Sequence, residues 1–263
     1  MTKVISITTN KGGVGKSFFS SHLSLALARK YKVKVLLVEL MSISTKDIWL
    51  GMNDSPDLPG LVGLIKGQGK KISECIIKRE DCDLYLSRGS SQVNDLERRP
   101  ELFEKLINII IEKSVFDLII FDGSNCGLIR EGIARNLSNG FVVPLSFGDG
   151  LSLHGSKEII KEIETEIQSD LIALAVTYRS SDELSDRFQL PFIEFIDSIP
   201  KEKVTICEHD YVVDEASFKE CSVFDLAPNS KISQSLYQLS EIVYTWMQNK
   251  NASDVNDGCA DCN

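Results

Sequence analysis

The sequence lacks any long apolar run. No stretch of its 263 residues approaches the roughly 20 uncharged apolar residues that span a bilayer. The N-terminus also lacks the basic segment followed by an apolar one that marks a secretory leader. These absences predict a cytoplasmic protein. Apolar residues nevertheless make up 43% of the chain, which is enough to bury a large core.

An excess of basic residues is missing as well. The 29 lysines and arginines stand against 38 acidic residues, and the net charge is −9. A negatively charged protein is not drawn non-specifically to nucleic-acid phosphates. The composition therefore gives no support for a nucleic-acid-binding protein, although a local basic patch would still allow contact with DNA.

Cysteine pairs are scarce. The seven cysteines are an odd number scattered along the chain, which favours reduced thiols. Only Cys259 and Cys262 have the spacing of a metal or redox pair, and no second pair or histidine lies near them in the sequence. Both fall in residues 249–263, which are polar and acidic and which we expect to form a disordered tail.

What the chain does contain is a regular alternation of strand and helix patterns. Short runs of β-branched and aliphatic residues predict strands at 3–9, 33–39, 83–87, 116–122, 141–144, 171–177 and 204–207. Amphipathic patterns predict helices at 17–30, 95–113, 128–137, 151–168, 183–196 and 230–248. This alternation predicts an α/β fold, with a mostly parallel, twisted sheet and helices on both faces. No repeat or linker divides residues 1–248, so we expect a single domain.

The first predicted strand leads through a glycine-rich loop into a helix. Glycines let backbone N–H groups approach an anion, and the helix N-terminus favours negative charge. In this P-loop pattern Lys16 would reach the β and γ phosphates and the Ser17 hydroxyl would ligate Mg²⁺. The alternative is a glycine-rich turn without a ligand. We expect a P-loop NTPase domain whose ATP-binding residues are Lys11, Gly12, Gly13, Val14, Gly15, Lys16, Ser17 and Phe18.

Asp122 ends the apolar strand predicted at 116–122. An acid at the end of a neighbouring buried strand can hold a magnesium-bound water. An aspartate in this position can also be no more than a helix cap. Because the loop and this strand belong to one predicted sheet, we expect Ser17 and Asp122 to form the metal site.

Lys11 precedes the first loop glycine, at a position that the ordinary P-loop leaves free. With this lysine the loop resembles the deviant Walker A motif of the ParA/MinD family of partition and positioning ATPases. The similarity extends from the first strand to Val243, and the segment Ser222–Ser230 resembles the ParA branch. The resemblance implies an ATP-dependent homodimer in which Lys11 reaches the phosphates bound by the partner subunit, so that Lys11 and Lys16 both serve catalysis.

The chain departs from the family after the second strand. Family members usually carry two aspartates there in an Asp-x-Asp-Pro pattern, and the second helps to position the attacking water. This sequence reads Glu39-Leu40-Met41-Ser42, and a methionine cannot orient a water. We therefore expect slow or absent ATP hydrolysis unless Glu39 or Asp47 substitutes for the missing acid.

The segment after Asp122 is a second departure. The family usually places prolines in this switch segment, whereas residues 123–127 contain none. Asn125 would either sense the γ-phosphate or only cap the loop.

Two partner-binding surfaces of the family are poorly represented. ParA proteins often carry DNA-binding arginines before the pair that Glu215-Ala216 matches, but residues 207–214 contain no arginine or lysine. The predicted last helix has a poor cationic face and precedes acidic residues, unlike the basic amphipathic helices that bind membranes. We expect no membrane contact and only weak binding to non-specific DNA.

Three functions fit these observations. The first is a ParA-like, Mg-ATP-binding dimerisation switch that partitions or positions a plasmid or another cargo. A ParB-like or other adaptor protein would read its state, and hydrolysis would be slow or partner-dependent. The second is a hydrolysis-deficient, ATP-dependent scaffold of a conjugation or secretion apparatus. The third is an iron-sulfur reductase or a ligase on the same fold, for which Cys126 lies near a plausible cluster position.

Overall fold

The computed structural model describes residues 1–41, 46–52, 58–68, 71–89, 99–113, 115–123, 128–178 and 186–256. The strands within these ranges are β1 (Lys3–Ile7), β2 (Val35–Glu39), β3 (Ile77–Lys78), β4 (Leu84–Ser87), β5 (Leu118–Asp122), β6 (Gly140–Ser146), β7 (Asp170–Tyr178) and β8 (Val204–Glu208). They form one sheet in the order β3-β4-β2-β5-β1-β6-β7-β8. Only the short β3 pairs antiparallel among the strands described; the other neighbours are parallel.

The helices are α1 (Lys16–Lys30), α2 (Lys46–Leu50), α3 (Gly60–Ile65), α4 (Pro100–Glu112), α5 (Leu128–Leu137), α6 (Gly150–Glu162), α7 (Asp186–Asp197), α8 (Tyr211–Phe218), α9 (Val223–Leu226) and α10 (Lys231–Asn256). Helices α1 and α10 contribute to the apolar core on one face of the sheet. Helices α3, α4 and α5 cover part of the other face, and α6 and α7 cover the rest. The predicted α/β fold, with a mostly parallel sheet between helical layers, is confirmed.

The central strands are buried along their whole length. Every residue of β1, β2 and β5 is buried, because helices lie on both faces. This explains why these strands read as almost continuous apolar runs rather than as alternating patterns. Acidic residues end two of them, Glu39 on β2 and Asp122 on β5, both at the carboxyl edge of the sheet.

Several predicted boundaries were wrong. The helix expected at 95–113 begins at Pro100, because proline suits the first helical turn, where its missing N–H is not needed; residues 95–98 lie outside the described ranges. The last helix continues from the predicted end at Gln248 to Asn256, through part of the segment expected to be a disordered tail. Neither glycine nor proline interrupts residues 231–256, so extending the helix meets no backbone obstacle. The pattern also missed β3, α2, α8 and α9, which are too short to show periodicity.

The strand order reverses at β1. The chain leaves β1 for β2 and β4 on one side, whereas β5 is followed by β6 on the other side of β1. In open parallel sheets, the loops at such a reversal separate at the carboxyl edge and leave a crevice that binds ligands. The topology therefore directs attention to the loop between β1 and α1.

Candidate nucleotide site

The loop between β1 and α1 has the backbone of an anion cradle. Gly13 and Gly15 adopt positive φ angles of +76° and +89°, a conformation that is costly for other residues. Gly15 is the N-cap of α1 and has no side chain with which to cap the first N–H groups, and the first turn contains no acidic residue. The N-terminus of α1 thus keeps both its unsatisfied donors and its favourable dipole for an anion.

Lys16 is buried and curls back into its own loop. Its Nζ donates hydrogen bonds to the carbonyl oxygens of Lys11, at 2.7 Å, and Thr9, at 3.3 Å. A buried ammonium is costly unless it is well bonded, so these carbonyls hold the charge at the loop. Phosphate oxygens would offer this ammonium stronger, charged acceptors than the two carbonyls.

The structure brings together the two residues predicted to face a metal. Ser17 Oγ donates a hydrogen bond of 3.0 Å to Asp122 Oδ2. Asp122 is fully buried at the end of β5 and lies opposite Ile7 at the end of β1. A hydroxyl and a carboxylate are the oxygen ligands that Mg²⁺ prefers, and Mg²⁺ commonly adds waters and substrate phosphates to one or two such groups. The residues present therefore fit a magnesium ion, which Ser17 and Asp122 would hold.

The two carboxylates considered as substitutes for the missing acid lie in different surroundings. Glu39 pairs in register with Asp122 across β2 and β5, so the two side chains share the α1 face of the sheet. Glu39 is buried, and its Oε2 accepts a 3.0 Å hydrogen bond from the backbone N–H of Gly89. Asp47 instead forms a 2.8 Å ion pair with Arg88. Of the two, Glu39 is the carboxylate beside Asp122.

Met41 packs against the apolar core. Its partly buried side chain joins the apolar cluster on the α4 face, which includes Val38 and Phe121. A thioether in this position fills space and offers no acceptor strong enough to hold a water.

Sequence patterns missed a cavity beside the loop. Its volume is about 210 Å³, and its walls come from the loop, from the ends of β6, β7 and β8, and from α8 and α10. Burial raises the pKa of the Cys207 thiol on this wall to about 12, so the thiol stays neutral. Only the order of the strands could have revealed this set, because its members share no local spacing. The lining residues are Gly13, Val14, Gly15, Phe18, Ser146, Phe147, Thr177, Cys207, His209, Val213 and Ile232.

Some predicted features cannot be placed. Asn125, Cys126, Cys259 and Cys262 lie outside the described residues. Within the described ranges, no three histidine, cysteine, aspartate or glutamate side chains come together as metal ligands. No helix in the same ranges is both long enough and apolar enough to cross a membrane.

A strand that leads through such a loop into a helix, beside a buried acid on the neighbouring strand, defines the P-loop class of nucleotide-binding proteins. Residues 2–174 match the family model described as an AAA domain, so the chain belongs to that family. Within this class it is a P-loop ATPase of the ParA/MinD type, as the resemblance predicted.

Individual relatives share the architecture over almost the whole chain. A virulence plasmid ParA family protein, pGP5-D of Chlamydia psittaci, is 24% identical over 260 residues and is covered to 96%, as is this chain. The structure of MinD from Pyrococcus horikoshii with Mg-ADP superposes with a TM-score of 0.75 at 20% identity, covering 92% of this chain and 96% of that one. The MinC:MinD complex from Aquifex aeolicus gives 0.73 at 21% identity, with coverages of 92% and 96%.

Proposed function

We propose that this chain is an ATP-dependent dimerisation switch that positions or partitions a cargo. The observation that carries the proposal is the 3.0 Å contact of Ser17 with Asp122 beside the buried Lys16. Two of these side chains come from the start of α1 and the third from the end of β5, and together they match the charges of a magnesium nucleotide.

The loop residues account for nucleotide binding. Lys16 would exchange its bonds to the Thr9 and Lys11 carbonyls for phosphate oxygens, a gain because charged acceptors make stronger hydrogen bonds. The free N–H groups of the loop and of α1 would hold the remaining phosphate oxygens. Ser17 and Asp122 would hold Mg²⁺, which supplies positive charge that neutralises the phosphates.

The cavity beside the loop would take the nucleotide base. It adjoins Gly13 and Gly15, and aromatic walls at Phe18 and Phe147 offer the apolar surface that a planar base needs. His209, which also lines the cavity, is a polar group able to hydrogen-bond the edge of the base.

Hydrolysis is slow, or depends on a partner, in this proposal. Met41 stands where the family's water-positioning aspartate is expected, and its partly buried side chain packs against the core. Glu39 lies beside Asp122, but Gly89 already holds one of its oxygens. The main role of bound ATP would then be to control subunit association, and its hydrolysis would be secondary.

Dimerisation and an adaptor follow from the family. Lys11, which is partly exposed at the start of the loop, would contact the phosphates in a second subunit. A MinD neighbour has been solved as a complex with MinC, which supports a protein partner that reads the dimer. The proposed cargo includes a plasmid, since one relative matched over 96% of its length is a virulence plasmid protein.

The test measures nucleotide binding and the oligomeric state of the protein. Size-exclusion chromatography with light scattering, in ADP, ATP and a non-hydrolysable ATP analogue, should show a dimer only with the triphosphates. Lys16→Ala should lose binding, whereas Lys11→Ala should bind nucleotide and stay monomeric. Identical elution in every nucleotide would remove the switch, and absence of binding by wild type would remove the site.

A hydrolysis-deficient scaffold is the second candidate. The packing of Met41 in the α4-face core favours it, because the side chain contributes to the fold rather than to chemistry. A stable ATP-bound dimer with no turnover, even with DNA and co-encoded proteins added, would support the scaffold. Turnover stimulated by one of these additions would support the switch.

A further inference from the structure

Arg135 on α5 joins three parts of the molecule next to the nucleotide loop. One of its terminal nitrogens donates hydrogen bonds to Asn10 Oδ1, at 3.0 Å, and to Glu131 Oε1, at 2.8 Å. The other donates to both carboxylate oxygens of Glu162 on α6, at 2.9 and 3.0 Å. The Arg135 side chain is only 14% exposed. The guanidinium group of Arg135 thus connects α5, α6 and Asn10, the residue directly before Lys11.

Two more contacts hold the same short segment. Glu131 also accepts a 3.0 Å hydrogen bond from Thr8 Oγ1. Side chains of α5 therefore bond both neighbours of Thr9, which are Thr8 and Asn10. On α6, a Cβ added at Gly155 would lie 3.5 Å from Asn10 Cβ and from the Lys11 nitrogen. This helix therefore packs closely beneath the start of the loop.

Lys16 and Arg135 hold the same short segment by different groups. Lys16 bonds the backbone carbonyls of Thr9 and Lys11, whereas Arg135 bonds the Asn10 side chain. When Lys16 exchanges these carbonyls for phosphate oxygens, as proposed above, the contacts of α5 remain to set the direction in which the chain enters Lys11. A guanidinium is suited to this task, because its planar fork bonds acceptors in several directions at once, which an ammonium cannot reproduce.

We propose that Arg135 is a positioning residue for Lys11, acting through Asn10 to fix how the loop presents Lys11 to a second subunit. The inference rests on the proposed dimerisation switch. Loss of Arg135 leaves the partly buried carboxylates of Glu131 and Glu162 without this partner and should cost some stability, so the test needs a similarly buried arginine as a control. A small misplacement of a contacting group can nevertheless cost a large factor in association or rate.

The experiment separates binding within one subunit from contact between subunits. Sedimentation of the full chain with a non-hydrolysable ATP analogue gives the dimer dissociation constant, and calorimetry with Mg-ADP gives monomer affinity. Arg135→Ala and Asn10→Ala should each weaken dimerisation about tenfold or more while ADP affinity changes less than about threefold. Arg135→Lys should fall between Arg135→Ala and wild type.

A double-mutant cycle shows whether Arg135 acts through Asn10. If it does, adding Arg135→Ala to Asn10→Ala should cause no further loss, because the two substitutions remove one interaction. Arg79→Ala is the matched control. Arg79 is similarly buried, at 13% exposure, and also bridges two carboxylates, those of Asp81 and Asp225.

The outcomes are distinguishable. A wild-type chain that stays monomeric with the ATP analogue overturns the switch and this assignment with it. Normal dimerisation of Arg135→Ala overturns only the role of Arg135. Equal losses in Arg79→Ala, a parallel loss of ADP affinity, or additive effects in the cycle also overturn it, since each indicates general destabilisation or an independent contact.

Discussion

His22 Nε2 accepts a 3.2 Å hydrogen bond from the backbone N–H of Val223, a residue 201 positions further along the chain. Because Nε2 is the acceptor, Nδ1 carries the proton and donates it to the Phe18 carbonyl at 2.9 Å. The neutral imidazole thus links the helix after the nucleotide loop to the first residue of α9. Burial lowers the pKa of His22 to about 4, and protonation would abolish the bond from Val223.

Acid should therefore destabilise the fold through His22. The folded pKa, about 4, lies below the ordinary value of 6.5, so the unfolded chain binds the proton more readily. The stability from the neutral ring is complete above pH 6.5 and is lost as the pH falls toward 4. From this residue we expect a loss of about 2 kcal/mol between pH 7 and pH 5. Urea unfolding at both values measures it.

His22→Gln is the control for this pH effect. Glutamine keeps an acceptor for the Val223 N–H but does not titrate. The variant should lose most of the extra destabilisation between pH 7 and pH 5. An unchanged pH dependence would show that other groups cause the effect.

Trp49 should report nucleotide binding by its fluorescence. The ring of Phe18, which lines the cavity beside the loop, meets Trp49 edge to face with centroids 5.5 Å apart. The second tryptophan, Trp246, is hydrogen-bonded to Asp170 at the start of β7, at the opposite edge of the sheet. Trp246→Phe should keep a change in emission on adding Mg-ADP. Trp49→Phe should lose it, and an unchanged signal in Trp49→Phe would contradict the coupling.

Asp122→Asn should make the affinity for ATP independent of magnesium. The amide keeps the shape of the side chain and an acceptor for Ser17, but it removes the charge that would hold Mg²⁺. ATP affinity measured by calorimetry with magnesium should fall about tenfold or more, to the value found in EDTA. Asp47→Asn, which changes an acid paired with Arg88, is the control and should retain the magnesium effect.

Met41→Asp should raise ATP turnover. The substitution supplies the carboxylate that the family uses to position water, and we expect at least about a tenfold increase in phosphate release. Some stability should be lost, because Met41 packs against the α4-face core. Met41→Leu keeps the apolar packing and should leave turnover unchanged. No gain in Met41→Asp, with ATP still bound, would show that Met41 is not what limits hydrolysis.

The glycine loop between β1 and α1 was predictable from the chain alone because its parts are contiguous. Two glycines with positive φ, Lys16 and the start of α1 follow one another within a few residues, so local conformation and chemistry coincide. The position of Asp122 at the end of a buried strand was predictable for a similar reason, since the residues before it in that strand are all apolar. The alternation of patterns likewise sufficed for the fold class.

Tertiary structure decided the remaining relationships. Three features join residues that are far apart in the chain: the cavity beside the loop, the hydrogen bond from Val223 to His22 and the hydrogen bond from Arg135 to Asn10. Their proximity depends on strand order and helix placement, which a periodic pattern does not encode. The same holds for the carboxylates near the site. From the sequence, Glu39 and Asp47 were equally good substitutes for the missing acid. In the structure, the strand register places Glu39 beside Asp122, whereas Asp47 pairs with Arg88.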